Sequence, residues 1–421
     1  MPLAELIKQP RSLEEADVDS ELIVDLTLKH LYDGGSLDLG ELAERMAIAG
    51  IIVEAIVDEL RNDFKIKVIT GHSGDAYLRY QLTDLGRTEA QHALSRSAYI
   101  GRTPITINHY RQLVAEQSVF KGTTSKAQLM DDFADVVIEE YLLDQLGPAI
   151  HSGRAIMVYG IAGSGKTYIC KRLAHSLGGP IYLPYAICVC REIIQFFDPL
   201  IHNPVCSVSE RQNFQFQTQT DKRLILCDRP LAVSGGELTL DSLGLQYDSL
   251  KRFNQAPIQM KANNGLYIVD DLGRQRISAV DLFNRWIVPM EEHLDYLTLG
   301  SGQHFPVPFD VVLIFSTNID PHDLVDEAFL RRLGYKIKFT GIDREAYVQI
   351  WSAICADKVL QLEADVLDQV IQFYETKKRP FLPCQPRDLL DIASNIATFT
   401  NQALISKEHM LLAWNTYFID L

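Results

Sequence analysis

The sequence predicts an α/β protein. A parallel sheet is built around a phosphate-binding loop, with an all-helical unit after it and a compact helix-and-hairpin unit before it. Three observations carry this expectation. The loop Gly160-Ile161-Ala162-Gly163-Ser164-Gly165-Lys166-Thr167 fits GxxxxGK[ST] in full and lies between an apolar run and a helical pattern. From about residue 129, short apolar runs alternate with helical segments, as parallel strands covered on both faces do. After Thr340 the pattern is wholly helical.

Composition bounds the problem. The chain has 421 residues, 47% hydrophobic and 23% charged, which are ordinary globular values that exclude wholesale disorder. Its net charge is −15, so nucleic acid would have to be met by a local basic patch working against the protein's own field. Seven cysteines form no CxxC pair, and the eleven histidines show no HExxH spacing. Free thiols in a reducing compartment are expected. The first twenty residues contain no apolar segment of signal-peptide length. No apolar run approaches the roughly 18 residues of a membrane span. A cytoplasmic location without membrane insertion is therefore expected.

Residues 1–100 read as one unit. A helix with apolar positions Leu22, Ile23, Leu26, Leu28 and Leu31 ends at Gly34-Gly35, and Ser20 is its expected cap. Short helices over 37–46 and 50–62 follow. Lys65–Thr70 and Tyr77–Leu82 alternate polar and apolar around Gly71-His72-Ser73-Gly74, the pattern of a β-hairpin. A last helix opens at Thr83 or Asp84. Three helices, a hairpin and a helix resemble a winged helix-turn-helix. Residues 101–128 read as a linker with one short helix, 107–117, and a polar break at 121–125.

The α/β core is expected over 129–340. Its apolar runs are Ala155–Tyr159, Ile181–Leu183, Leu266–Val269, Val311–Phe315 and Tyr335–Phe339. The stretch 203–262 reads as an insertion, with an alternating segment at 213–218 and a glycine turn in 233–239. Helices over 343–357, 363–376, 386–399 and 407–418 make an α-subdomain spanning 341–421. Trp286, Trp351 and Trp414 fall on helical patterns and are expected in the core.

The chemistry begins at the loop. Glycines let successive backbone N–H groups turn inward on phosphate oxygens, and the helix that follows adds its positive end. Lys166 suits the β- and γ-phosphates, and the Thr167 hydroxyl suits Mg²⁺. Leu266–Val269 is a buried-strand pattern ending in Asp270-Asp271. Asp270 suits the Mg²⁺ shell, and Asp271 suits a base that polarises water. Asn318 follows the next apolar strand, where an amide could orient that water. Arg331 and Arg332, and Arg387 in the α-subdomain, could stabilise charge on a transferring phosphoryl group. Taken singly, each arginine also fits a solvated surface charge.

Together and in this order, these residues resemble an AAA+ ATPase, a P-loop NTPase core with a C-terminal all-α lid. Gly160–Thr167 resembles its Walker A, Leu266–Asp271 its Walker B and Asn318 its sensor 1. Arg331-Arg332 resembles its arginine finger and Arg387 its sensor 2. The resemblance covers about 129–418. The strings Asp270–Arg274, Pro289–Glu292 and Leu297–Phe309 are similar to MoxR-like ATPases, which carry a hairpin before the sensor 1 strand. In that family the finger lies in a Leu-x-Arg-Phe string, so Leu330-Arg331-Arg332-Leu333 favours Arg332. Val136, Val137 and Ile138 sit where these proteins pocket adenine, and Tyr168 follows the loop. Asp271 replaces the usual Walker B Glu, one methylene shorter, which bears on hydrolysis more than on binding. An N-terminal winged helix joined to such a core also resembles bacterial chaperone-like ATPases linked to pilus assembly.

The resemblance implies ATP and Mg²⁺ as ligands, and a ring-like homo-oligomer, often a hexamer, that remodels a protein client selected by the N-terminal unit. Two other readings stay open. One is a nucleotide-switched DNA-binding regulator using the winged helix. The other is a nucleotide-binding scaffold with little turnover. Against DNA, residues 1–103 hold eleven Lys/Arg and eighteen Asp/Glu, and the third helix carries Glu54, Asp58 and Glu59 against Arg61 alone. Lys65, Lys67 and Arg79 make a small basic spot on the hairpin. The balance favours a protein partner.

Overall fold

A computed structural model describes residues 1–70, 78–205 and 220–418. The expected hairpin turn at 71–74, the alternating segment 213–218 and Cys206 lie outside these residues. At the centre is a five-stranded sheet, parallel throughout. Its order is Leu231–Ser234, Gly265–Val269, Val311–Thr317, Ile156–Gly160, Tyr335–Phe339. The strand before the phosphate loop is thus flanked on both sides. The strands Gly265–Val269 and Val311–Thr317 are buried along their whole length, as continuous apolar runs require.

The period-two geometry of strands sorts these runs into two cores. Ile156, Val158, Leu266, Ile268, Val312 and Ile314 face one way, onto Leu142, Leu146, Ile169 and Leu173. Met157, Tyr267, Val269, Leu313 and Phe315 face the other, onto Leu282, Phe283, Trp286 and Phe329 of following helices. Trp286 is fully buried beside Tyr267 and Phe315. The mixed α/β fold with a parallel sheet and a helical C-terminal region is therefore as expected. That region comprises Arg344–Asp357, Val366–Lys377, Gln385–Phe399 and Lys407–Tyr417, closed around Trp351, Tyr374 and Trp414.

One strand differs from the expectation. The run at 181–183 is not in the parallel sheet. Ile181–Pro184 pairs antiparallel with Leu224–Cys227 in a separate two-stranded ribbon. The strand beside Gly265–Val269 is Leu231–Ser234, inside the stretch read as an insertion. The cause is the edge position. An edge strand pairs on one side only, so four residues between Pro230 and Gly235 suffice, too few to show a period. Pro184, lacking an N–H, suits the end of a short ribbon.

Two strands of the stretch read as an insertion join three from outside it in a second five-stranded sheet, ordered Gln246–Asp248, Phe253–Gln255, Glu192–Gln195, Ala186–Val189, Ile105–Thr106. Its last strand comes from the stretch read as a linker. Helix Ile107–Glu116 falls where the pattern put it but is packed into the body. Tyr110 is buried and receives a hydrogen bond from Asn263 Nδ2 at 2.7 Å, and Arg111 Nη2 donates to Pro306 O at 2.6 Å in the hairpin Leu294–Thr298/His304–Pro308. Residues 101–128 are therefore structural. Periodicity located the helix, but the partners that bury it are more than 140 residues away in the chain.

The N-terminal unit contains Ser20–Gly34, Leu39–Met46, Gly50–Asn62 and Asp84–Arg96 around a small antiparallel sheet. Asp19, not Ser20, caps the first helix, accepting from Glu21 N at 2.9 Å. Asp38 and Glu41 form a capping box on the second helix, and Thr83 caps the last. The core of the unit runs on into Ala186, Ile193 and Phe253 of the second sheet. The six cysteines among the described residues are free thiols. No helix among the described residues is long and apolar enough to cross a membrane.

A buried ion pair fastens the first residues to this assembly. Arg223 and Asp221 are 1% and 0% exposed and joined at 2.8 Å, and Arg223 Nη1 donates to Ala16 O at 3.0 Å. Removing one partner strands a charge, whereas removing both does not. Arg223→Met is expected to cost about 3–5 kcal/mol. Arg223→Met combined with Asp221→Leu should regain most of that loss. Urea unfolding of the two variants checks it. Equal losses would show that the pair contributes no charge compensation.

Candidate functional site

The phosphate loop leaves the strand Ile156–Gly160 and enters the helix Lys166–Arg172. Three glycines make the turn, with φ of 137°, 81° and 86° at Gly160, Gly163 and Gly165, where side chains are strained. Two are also needed for space. A Cβ at Gly160 would lie 1.9 Å from Phe339 O, and one at Gly163 would lie 2.6 Å from Cys384 Sγ. Ile161 and Ala162 form the exposed tip, and Ser164 is buried with its hydroxyl on Ile161 O at 2.8 Å.

Lys166 is 6% exposed. Its ammonium donates to Gly160 O and Ile161 O, both at 2.9 Å, and to Asn318 Oδ1 at 2.7 Å. Burial lowers its pKa, against the attraction of Asp270 and Asp271. Asn318 Nδ2 donates in turn to Asp271 Oδ1 at 3.0 Å. One amide thus links the loop lysine to the second carboxylate. Thr167 Oγ1 donates to Asp270, 2.9 Å from each carboxylate oxygen. The expected Lys166, Thr167, Asp270, Asp271 and Asn318 therefore meet at the carboxyl ends of three adjacent strands, where ligands of parallel sheets bind.

A cavity of about 340 Å³ opens beside the loop. Val136, Val137, Ile138 and Tyr168 line it. Arg387 reaches it from helix Gln385–Phe399, with Asp388 Oδ1 3.6 Å from its Nε. Arg331 and Arg332 are not brought to this site. Arg331 pairs with Glu327 at 3.2 Å, and Arg332 pairs with Glu291 at 2.8 Å on the outer surface.

Sequence reasoning missed several contributors. Gln275 spans the turn after Asp270, donating to Asp270 O at 2.7 Å and accepting from Gly273 N at 2.8 Å. Asp271 sits in that turn with φ 51°. Pro383 and Cys384 abut the loop glycines, while Ile350 and Ile354 add apolar lining from helix Arg344–Asp357. The four-residue spacing of the two isoleucines was a visible signal, but it reads equally as ordinary core.

The residues fit a magnesium nucleotide. A loop whose glycines leave no room for a Cβ exposes main-chain N–H groups to an anion. A hydroxyl and a carboxylate already in contact are the hard oxygen donors that Mg²⁺ takes while keeping most of its waters. The cavity beside them has an apolar wall of Val136, Val137, Ile138, Ile350 and Ile354 that suits a flat ring.

A family model described as a domain of unknown function (DUF8689) matches residues 343–416, the helical C-terminal region. No curated protein matches the sequence. Among solved structures, the chain is similar to the Thermotoga maritima RuvB Holliday junction branch migration motor. Identity is 11%, over 72% of this chain and 74% of that one, with a TM-score of 0.39. A point mutant of Thermotoga maritima RuvB is similar at 11% identity over 67% and 71%, with a TM-score of 0.40. Likenesses this loose carry no functional weight.

The contact between loop and lid gives a test. Gly163→Ala places a methyl against Cys384 in a strained backbone, so affinity for a nonhydrolysable ATP analogue with Mg²⁺ should fall at least about tenfold, or 1.4 kcal/mol. A fluorescence titration measures this. Unchanged affinity would mean that the loop does not need this close approach to bind.

Proposed function

We propose that this chain is an AAA+ ATPase of the MoxR-like kind, which hydrolyses ATP as a ring-forming homo-oligomer, hexameric by the family pattern, to remodel a protein client. The observation that carries the reading is the chain of contacts Lys166–Asn318–Asp271 beside the bonded pair Thr167–Asp270. Few arrangements other than a phosphoanhydride hydrolase need a loop lysine, an amide and a carboxylate in series.

Each residue has a part. Lys166, released from its carbonyl acceptors, binds the β- and γ-phosphate oxygens. Thr167 and Asp270 hold Mg²⁺, which neutralises phosphate charge when bound. Asp271 takes the proton from a water as its oxygen bonds to the γ-phosphorus. The bond to the β–γ bridging oxygen breaks, and ADP leaves with the electron pair. Asn318 keeps the Asp271 carboxylate and the water in line. The shorter Asp271 side chain is offset by this bond and by the left-handed turn that presents it. Arg387 contacts phosphate from the helical lid. Arg332, which lies away from its own site, acts on the site of a neighbouring copy, with Arg331 as the other member of the pair.

The N-terminal unit, read as a winged helix, supports a protein client. The outward face of helix Gly50–Asn62 presents Ile51, Glu54, Asp58 and Glu59. Two of the three cations of the basic spot on the hairpin are paired within the unit, and Lys67 is exposed. Arg79 pairs with Glu41 at 2.9 Å, and Lys65 pairs with Asp63 at 2.9 Å. Phe64 and Leu78 are exposed apolar side chains beside that acidic face. A DNA-binding regulator is the alternative, and the carboxylates on the outward face of that helix oppose the phosphate contact it would need. A cytoplasmic site of action without membrane insertion goes with the proposal.

Steady-state phosphate release tests the reading. Lys166→Ala should abolish release. Asp271→Asn should lower it at least about a hundredfold while still retaining ATP, a loss of the size general base catalysis supplies. Arg332→Ala should also abolish release without loss of ATP binding, and release by this variant at the wild-type rate would overturn the shared site. A gel shift with duplex DNA should show no binding at moderate salt. Binding that weakens steeply as salt rises would favour the regulator.

A further inference from the structure

A second cavity, of about 870 Å³, lies between the N-terminal unit and the second sheet, far from the phosphate loop in the chain. Helix Ser20–Gly34 forms one wall through a stripe at helical spacing, Leu22, Asp25, Leu26 and Lys29. Ile193 and Phe253 of the second sheet form the facing wall, and Gly300-Ser301 at the hairpin tip borders it.

Lys29 is the anomaly. It is 2% exposed, lines the cavity, and neither donates a hydrogen bond to nor forms an ion pair with any described residue, Asp25 one turn before it acting only through its charge. The other cations there are engaged. Arg96 pairs with Asp25 at 2.7 Å, Arg191 pairs with Asp19 at 2.7 Å and also with Glu21, and Arg252 Nη1 donates to Ser95 O at 2.8 Å. Glu192 accepts from Asn254 Nδ2 at 3.0 Å. Burial strips most of the water from the Lys29 side chain and Asp25 offsets only part of the cost, whereas a methionine would fill the same space without a charge to solvate.

We propose that this cavity binds a small organic carboxylate, whose carboxylate group pairs with Lys29 and whose apolar part lies against Leu22, Leu26, Ile193 and Phe253. The volume is that of a small-ligand site. The charge selects a carboxylate over a phosphate. One unpaired positive charge faces the cavity, and Glu21, Asp25 and Glu192 on its walls oppose a dianion. The proposal is independent of the nucleotide reading, because none of these residues lies in the phosphate-loop site.

Burial pushes the Lys29 pKa down to about 8, opposed by the Asp25 carboxylate and reinforced by Arg96. The other charged groups facing it are Glu21, Arg191, Glu192 and Arg252. Two consequences follow by linkage. The folded state loses the Lys29 proton near pH 8, while the unfolded chain keeps it to about 10.5. Stability of the wild type relative to Lys29→Met should therefore rise with pH between those values. A bound carboxylate should draw a proton onto Lys29 near pH 8.

The experiment uses the full chain at pH 8 and reads acylation of Lys29 by an amine-reactive reagent, by peptide mass spectrometry. The probes are acetate, benzoate, indole-3-acetate, the neutral benzamide and inorganic phosphate. The expected result is that at least one carboxylate slows acylation of Lys29 fivefold or more, saturably and with proton uptake by calorimetry, while benzamide does not. Lys29→Met should lose saturable binding of that carboxylate, keep an unfolding midpoint no lower than wild type, and bind the ATP analogue unchanged. The proposal is overturned if no carboxylate protects Lys29, if benzamide protects equally, or if phosphate protects more strongly than every carboxylate.

Discussion

The structure turns on a buried ammonium at the end of a parallel sheet. Lys166 is largely shielded from water, and its closest acceptors are two carbonyls of its own loop and the Asn318 amide. Those acceptors compete poorly with a phosphate, because a charge-assisted bond to an anion is stronger than one to a neutral carbonyl. The loop is thus satisfied without ligand yet biased toward exchanging its own oxygens for those of an anion. The same bond ties the loop to the strand Val311–Thr317, so any movement of the lysine reaches Asn318 and, through it, Asp271.

That arrangement needs a rigid platform, and the sheet supplies it. Alternate residues of each central strand feed two separate cores, so neither face can shift without repacking Trp286 and Phe283 on one side or Leu146 and Leu173 on the other. Gly160 presses its Cα against Phe339 O in the neighbouring strand, which sets the loop's height above the sheet. The helical C-terminal region meets the loop glycines through Leu382, Pro383 and Cys384 and shares the cavity lining.

Much of the site was legible because its chemistry is local. Gly160–Thr167 is contiguous, and Asp270, Asp271 and Asn318 each end an apolar run that points to a strand. The edge strand Leu231–Ser234 was not legible, since four residues carry too little period to stand out from a loop. Nor was the packing of residues 101–128, whose helix was evident while its partners Asn263 and Pro306 lie far along the chain. The exposed positions of Arg331 and Arg332 were equally outside the reach of spacing, because a surface cation and a cation meant for a neighbour have the same sequence signature.

The sequence by itself determined the phosphate loop, the paired carboxylates, the fold class and the helical ending, because each is written in residues close together or in a repeated period. Tertiary structure alone decided that Asn318 bridges lysine and carboxylate, that the second sheet joins the N-terminal unit to the core, and that Lys29 lines a cavity without a hydrogen bond or ion pair to any described residue. Those outcomes depend on distances between segments brought together only by folding, and no local pattern encodes them.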